Sequence, residues 1–257
     1  MAYKIAFFDI DGTLVNEEKQ IPQDTIDAIQ EVQAKGIEAV IATGRAPYFF
    51  AALAEQLGID SYVSLNGAYV VYKGKPIYSN PIPQKDMEAL VRHAGQHDHK
   101  LVFEGHSAFY ANDDVHPSVI QAVKSLRVEL PGYDPDFWKK EDIYQAFLHC
   151  EAEEEHLYED ALPGLRLIRW HPSAMDVLRE DGSKAKGIQA LLEKLGLSTD
   201  DAIAFGDGLN DKEMLEAVGL GIAMGNSHEE LLPFANYVTA HVNEGGIRQG
   251  LQHAGLL

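Results

Sequence analysis

Three short runs of the chain, Ile5-Ala6-Phe7-Phe8, Ala39-Val40-Ile41-Ala42 and Ala202-Ile203-Ala204-Phe205, contain no polar side chain. A strand with one face in water alternates apolar and polar residues, so a run that is apolar throughout belongs to a strand covered on both faces. Helix-period stretches separate these runs. One carries Ile26, Ile29 and Val32 and stops at Gly36; another begins near Ser183 and carries Ile188, Leu191, Leu192 and Leu195. A further short apolar unit follows at Leu220-Gly221-Ile222-Ala223-Met224. Strand and helix alternating in this way predict an α/β fold, a parallel sheet covered by helices.

The texture changes between about Pro81 and Glu180. Prolines at 81, 83, 117, 131 and 135 mark joints, and alternating stretches such as Leu165-Arg166-Leu167-Ile168-Arg169 suit a sheet with one wet face. This stretch is expected to be an inserted second domain of residues 83–180, interrupting a core formed by residues 1–82 and 181–257. The acidic run from Glu151 to Glu155, broken only by Ala152, reads as a solvated helix face. The chain shows no internal repeat and no low-complexity segment.

A chain of 257 residues accommodates one large domain or a core with one insertion. Lys and Arg number 21 against 40 Asp and Glu, a net charge of −19. Such a surface repels nucleic acid and anionic membranes, so neither is expected as a partner. Cys150 is the single cysteine, which excludes an intramolecular disulfide and a thiolate zinc cluster and suits a reducing compartment. No apolar run approaches the roughly 18 residues of a membrane span. Met1-Ala2-Tyr3-Lys4 leads straight into the first apolar run, and a cytoplasmic protein is expected.

The residues that carry chemistry stand where the apolar runs end. Asp9-Ile10-Asp11-Gly12-Thr13 follows the first run, and the alternation of an extended chain lets Asp9 and Asp11 share one site at the strand's carboxyl end. An acidic turn with an Asx-type cap has the same spelling. Thr43-Gly44-Arg45 follows the second run, ahead of a helix-like stretch from Ala46 to Leu57. A hydroxyl, free amides and a guanidinium there suit an anion, although Thr is also a common helix cap and Arg a common surface residue. Gly206-Asp207-Gly208-Leu209-Asn210-Asp211 follows the third run and opens a helix through Met214 and Leu215. If Asp9, Asp11 and Asp207 converge, two carboxylates and a backbone carbonyl suit a hard divalent ion, Mg2+ above all. Acids gathered without a counter-ion oppose one another's ionisation, so a cation belongs among them. Ser183-Lys184-Ala185-Lys186 opens the preceding helix, and a lysine there either reaches the acids or is simply solvated.

In this order the four segments resemble the motifs of the haloacid dehalogenase superfamily. Asp9-x-Asp11-Gly12-Thr13 is similar to its first motif, Thr43 to its second, Lys184 to its third, and Gly206-Asp207-x-x-Asn210-Asp211 to its fourth. Lys184 is chosen over Lys186 because Ser183-Lys184-x-x-Gly187-Ile188 aligns with the family's Ser-Lys-x-x-Ala-Leu. Leu65-Asn66-Gly67-Ala68, the size of the insert and Ala223-Met224-Gly225-Asn226 resemble the Cof-type branch with a class IIB cap. Glu244-Gly245-Gly246-Ile247 departs from the Glu-Asp-Gly-Val of that branch, at positions that touch nothing catalytic.

The resemblance implies a Rossmann-like parallel-sheet core with an inserted α/β (α+β) cap that closes over the site. It further implies a Mg2+-dependent phosphatase acting on small phosphorylated metabolites such as sugar phosphates through an aspartyl phosphate. Asp9 would be the nucleophile and Asp11 the general acid, later the base. Thr43, Gly44, Lys184 and Asn210 would hold the phosphoryl oxygens, with Arg45 helping to read the substrate. The metal would rest on Asp9, the Asp11 carbonyl and Asp207, with Asp211 holding its waters. Glu104, His106 and Tyr110 of the insert are candidates for hydroxyl recognition, but a wet-face role is favoured for each and they are given no role in the site. A phosphomutase shares the acid two residues after the nucleophile. A phospho-acceptor signalling module shares the acids, Thr and Lys, but not an insert of this size, and a silent metabolite-binding protein would not keep every catalytic position.

Overall fold

A computed structural model describes residues 3–257; Met1 and Ala2, the start of the expected lead into the first strand, lie outside the described residues. The chain forms two compact units, one of Met1–Arg45, Phe50–Ser79 and Ser183–Leu257, the other of Ala46–Phe49 and Asn80–Gly182. The joints expected at 82/83 and 180/181 thus fall at 79/80 and 182/183.

The first unit begins with β1 (Ile5–Phe8), α1 (Gln23–Ala34), β2 (Glu38–Ala42), α2 (Ala51–Leu57), β3 (Tyr62–Ser64), β4 (Tyr69–Tyr72) and β5 (Lys75–Ser79). The second holds α3 (Gln84–Gln96), β6 (Lys100–Glu104), β7 (Phe109–Ala111), α4 (Pro117–Ser125), β8 (Gly132–Tyr133), β9 (Gln145–His149), β10 (Leu165–His171) and β11 (Ala174–Arg179). The first unit then resumes with α5 (Lys184–Leu195), β12 (Ala202–Gly206), α6 (Lys212–Ala217), β13 (Leu220–Ala223), β14 (Tyr237–Val238) and α7 (Gly246–His253).

Eight strands form the sheet of the first unit in the order β14-β13-β12-β1-β2-β3-β4-β5. Pairing is parallel from β14 to β3 and antiparallel where β4 and β5 extend the edge. The three wholly apolar runs are its central strands, and every residue of β1 and β12 is buried. Alternate residues explain why. Phe8, Ile41 and Phe205 belong to an apolar cluster with Ile29 and Val32 of α1, while Phe7, Val40 and Ala204 join Ile188, Leu191 and Leu192 of α5. The stretch from Ala46 to Leu57 is not one helix. Pro47–Phe49 is a three-ten turn, Phe50 has φ −130° and ψ 10°, and α2 starts only at Ala51. Tyr48 and Phe49 pack on Phe109, and the turn belongs with the second unit.

The sheet of the second unit has the order β10-β11-β9-β6-β7-β8 and is antiparallel except between β7 and β8. One face packs on α3 through Met87, Leu90 and Ala94; part of the other packs on α4 through Val119 and Val123. One expectation fails here. The strand Leu165–His171, at the sheet's edge, is half-buried along almost its whole length, without a clean wet face. The acidic run lies on a three-ten helix, Ala152–Tyr158, with its acids exposed or half-exposed, as a solvated helix face requires; Glu154 pairs with His99 at 3.1 Å and Glu155 with Arg169 at 3.0 Å. Among the described residues no helix is long and apolar enough to cross a membrane.

His149 on β9 is buried, and neither ring nitrogen has a hydrogen-bond partner. Burial pushes its imidazole from 6.5 down to about 4, and His116 and His171 push the same way. The unfolded chain therefore binds a proton that the folded one refuses. The neutral imidazole is accommodated fully above pH 6.5, and stability is lost as pH falls from there towards about 4. The shift corresponds to about 3 kcal/mol at the acid end. Chemical denaturation across this pH range is expected to show a steeper acid loss for the wild type than for His149→Leu, and parallel curves would contradict the assignment.

Candidate active site

The carboxyl ends of the central strands bring four charged side chains together. Asp9 directly follows β1, and its amide still donates to the Phe205 carbonyl of β12 at 3.0 Å, so its position is fixed by the sheet. Lys184, the first residue of α5, donates from Nζ to Asp9 Oδ1 at 2.6 Å and to Asp211 Oδ1 at 2.7 Å. The side chains of Lys184 and Asp211 have no exposed surface at all. The other oxygen of Asp211 accepts the amides of Asp207 and Gly208, both at 3.0 Å, which closes the turn after β12 and aims Asp207. Thr13 supports Asp207 from across the site, donating from Oγ1 to Oδ1 at 2.9 Å.

Two glycines allow this closeness. Gly12 has φ +76°, and a Cβ there would overlap the Asp207 carboxylate. Asn226 holds the same turn by donating from Nδ2 to the Gly12 carbonyl at 2.7 Å while accepting the Val242 amide at 2.9 Å. Gly67 has φ +91°, and a Cβ there would strike the Ser183 carbonyl just before Lys184.

Oxygens of Asp9, Asp207 and Asp211 lie within 4.8 Å of one another. Three carboxylates face one ammonium, and the electrostatics record the imbalance. Burial raises the Asp9 pKa well above the usual carboxylate range; Lys184 opposes this, and Asp211, Asp207 and Asp11 add to it. Asp207 is pushed up to about 7 by burial and by Asp211, against the Thr13 hydrogen bond and Lys184. Burial would lower the Lys184 pKa, but the charges of Asp211 and Asp9 and their hydrogen bonds outweigh it, so the shift is upward. All-oxygen donors with an unmet negative charge suit a hard divalent cation. The cluster can bind a metal.

Asp11 stands apart. Arg45 grips its carboxylate with two hydrogen bonds, Nε to Oδ2 at 2.7 Å and an Nη to Oδ1 at 2.6 Å, and Lys19 also donates to Oδ1. Burial would raise the Asp11 pKa, yet the Arg45 and Lys19 contacts together bring it below the ordinary value. The side chain of Arg45 is thus engaged on Asp11.

Thr43, Gly44 and Asn210 gather instead around Asn66. Asn210 Nδ2 donates to Asn66 Oδ1 at 3.1 Å, the Asn66 amide donates to the Thr43 carbonyl at 3.2 Å, and a Cβ on Gly44 would come within 3.0 Å of the Asn66 amide group. Thr43 Oγ1 accepts the Arg45 amide at 3.1 Å. Leu65 and Asn66 hold φ +52° and +50°, a backbone region that a leucine rarely enters and that recurs at functional sites. Sequence reasoning gave Asn66, Asn226 and Lys19 no role. The first two stood inside quoted segments, so the signal was present; Lys19 carried none. Glu104, expected on a wet face, is 1% exposed and accepts from Gln145 Nε2 at 2.8 Å.

A parallel α/β sheet with a metal-competent acid cluster and a buried lysine at its strand ends suits phosphoryl transfer. The chain belongs to the haloacid dehalogenase-like hydrolases, whose family model matches residues 6–251. YkrA of Bacillus subtilis, provisionally named a phosphatase, is 41% identical over 100% of both chains. Two solved structures are similar throughout. BT1666 of Bacteroides thetaiotaomicron, described among phosphatases of this superfamily, has a TM-score of 0.91 at 30% identity, covering 100% of this chain and 96% of its own. The subclass IIB sugar phosphatase BT4131 has a TM-score of 0.87 at 31% identity, covering 99% and 100%. The enzyme class is phosphoric monoester hydrolase.

Proposed function

We propose that this enzyme is a Mg2+-dependent phosphatase of small phosphorylated metabolites, working in the cytoplasm through an aspartyl phosphate on Asp9. The observation that carries the reading is the position of Asp9: at the end of a central strand, held by Lys184, beside Asp207, with a carboxylate oxygen left for chemistry. Asp9 and Asp207 would hold the cation, while both oxygens of Asp211 are taken by Lys184 and the turn it closes. A bound divalent ion supplies charge neutralisation, which lets an anionic nucleophile meet a phosphate dianion.

The remaining roles fall to the chain's own groups. Lys184 keeps Asp9 oriented and adds positive charge where phosphoryl oxygens gather, with Thr43, the Gly44 amide and Asn210 as further donors. Asp11, as the carboxylate that Arg45 and Lys19 maintain, is in the form that takes a proton from water in the hydrolytic half-reaction. To protonate a leaving oxygen in the first half, it must first be released by Arg45. The buried free thiol of Cys150 fits a reducing compartment.

The experiment is a panel of phosphate esters assayed for released phosphate with Mg2+, with a chelator, and with Mg2+ restored. Hydrolysis is expected to fall about 100-fold or more on chelation and to recover. Phosphate release indifferent to the chelator would remove the metal from this reading.

A further inference from the structure

Three histidines lie together in the second unit, where α3 ends and the chain turns into β6. His93 is on the last turn of α3, His97 caps the helix, and His99 immediately precedes β6. Residues four apart on a helix share a face; the rings of His93 and His97 are 4.9 Å apart between centroids, and His97 is 6.0 Å from His99. The three-ten helix Ala152–Tyr158 packs against them, with Tyr158 meeting His93 edge-on at 5.0 Å and its hydroxyl 2.7 Å from His99 Nδ1. The hydrogen bonds leave a defined set of lone pairs. His93 Nε2 is 2.8 Å from the Leu157 carbonyl, which can only accept, so in the neutral ring the proton sits on Nε2 and Nδ1 is bare. His97 has ring contacts and, among the described residues, no hydrogen bond at either nitrogen. Glu154 Oε2 accepts the Glu151 amide at 3.2 Å and faces His99 Nε2 at 3.1 Å, which leaves Oε1 without a partner among the described residues. The Glu151 amide, His99 and His97 hold the Glu154 carboxyl below the usual carboxylate range, so it stands as an anion within reach of His97.

Two imidazoles four residues apart on one helix face chelate a borderline divalent cation, the kind that takes nitrogen donors where Mg2+ takes oxygen. Metal-bound histidines and carboxylates usually carry a hydrogen bond on their far side, and here the Leu157 carbonyl stands behind His93 and the His99 ring behind Glu154. Glu151, Glu153 and Glu155 add negative charge on the same three-ten helix and its cap, which favours the approach of a cation. We propose that His93, His97 and Glu154 form a binding site for Zn2+, with water completing its coordination, and that the ion clasps the end of α3 to the three-ten helix. His97 is exposed, so its ring is free to turn a nitrogen towards the ion. The site lies wholly within the second unit and does not rest on the phosphatase reading.

The test is a calorimetric titration of Zn2+ into the full chain in excess Mg2+, which competes for all-oxygen donors and leaves imidazoles alone. The wild type is expected to show a Zn2+ site that weakens at least about 30-fold in His97→Ala and in His93→Gln, and about fivefold in Glu154→Gln, with circular dichroism unchanged. Glutamine at 93 places an amide donor where Nε2 meets the Leu157 carbonyl, so the local fold is kept while the ligand is lost. With Cu2+ in place of Zn2+, electron paramagnetic resonance should show nitrogen splitting from two imidazoles in the wild type, and this pattern should be lost in His97→Ala. Zn2+ isotherms that superimpose for the wild type and any one of the three variants, or a Cu2+ spectrum without nitrogen splitting, would overturn the proposal.

Discussion

Asp9→Asn is expected to reduce kcat by about 10,000-fold or more while the protein still folds and binds phosphate esters. The amide matches the carboxylate in shape but is a poor nucleophile, and Lys184 keeps its second partner, Asp211. The substitution also removes one of three acids that oppose one another, so the melting temperature should hold or rise. Steady-state kinetics and a thermal melt on the same sample check both halves. Activity within about tenfold of the wild type would remove Asp9 from the nucleophile's role.

Lys184→Met carries the second large effect, on stability as well as turnover. The ammonium lies wholly buried between Asp9 and Asp211, and methionine fills similar space without its charge. Breaking a buried ion pair from one side leaves an uncompensated charge and costs about 3–5 kcal/mol. A urea titration should show that loss, and phosphate release should vanish with it. Added Mg2+ should restore more stability to the variant than to the wild type, since any cation that enters the cluster relieves the carboxylates. A loss below about 1 kcal/mol would mean that Lys184 does not neutralise the pair.

How much of this was legible in the sequence follows from how far each feature depends on neighbours in the chain. The central strands could be read because burial on both faces removes every polar residue from Ile5–Phe8 and Ala202–Phe205. The acids at their ends could be read because they interrupt that pattern abruptly. The break in the stretch after Arg45 could not, because Pro47 is compatible with the first turn of a helix and aromatic contacts of Tyr48 and Phe49 with Phe109 lie far away in the chain. Glu104 looked like a wet-face residue because acids are rarely buried, and only the register opposite Gln145 shows its partner. The clamp of Arg45 and Lys19 on Asp11 joins residues from separate turns, and no local spacing encodes it. Asn66 is the clearest case: its place between Gly44 and Asn210 depends on two consecutive left-handed residues that propensity would not assign to Leu65-Asn66.

Covalent capture of the intermediate tests the role of Asp9 most directly. Asp11→Asn is mixed with substrate and Mg2+, quenched in acid within milliseconds, and digested for mass spectrometry. One phosphoryl group should appear on the peptide containing Asp9, reducible there by borohydride, and should be absent from Asp9→Asn. A phosphoryl group on any other residue, or product released at full rate with Asp9 never modified, would contradict it.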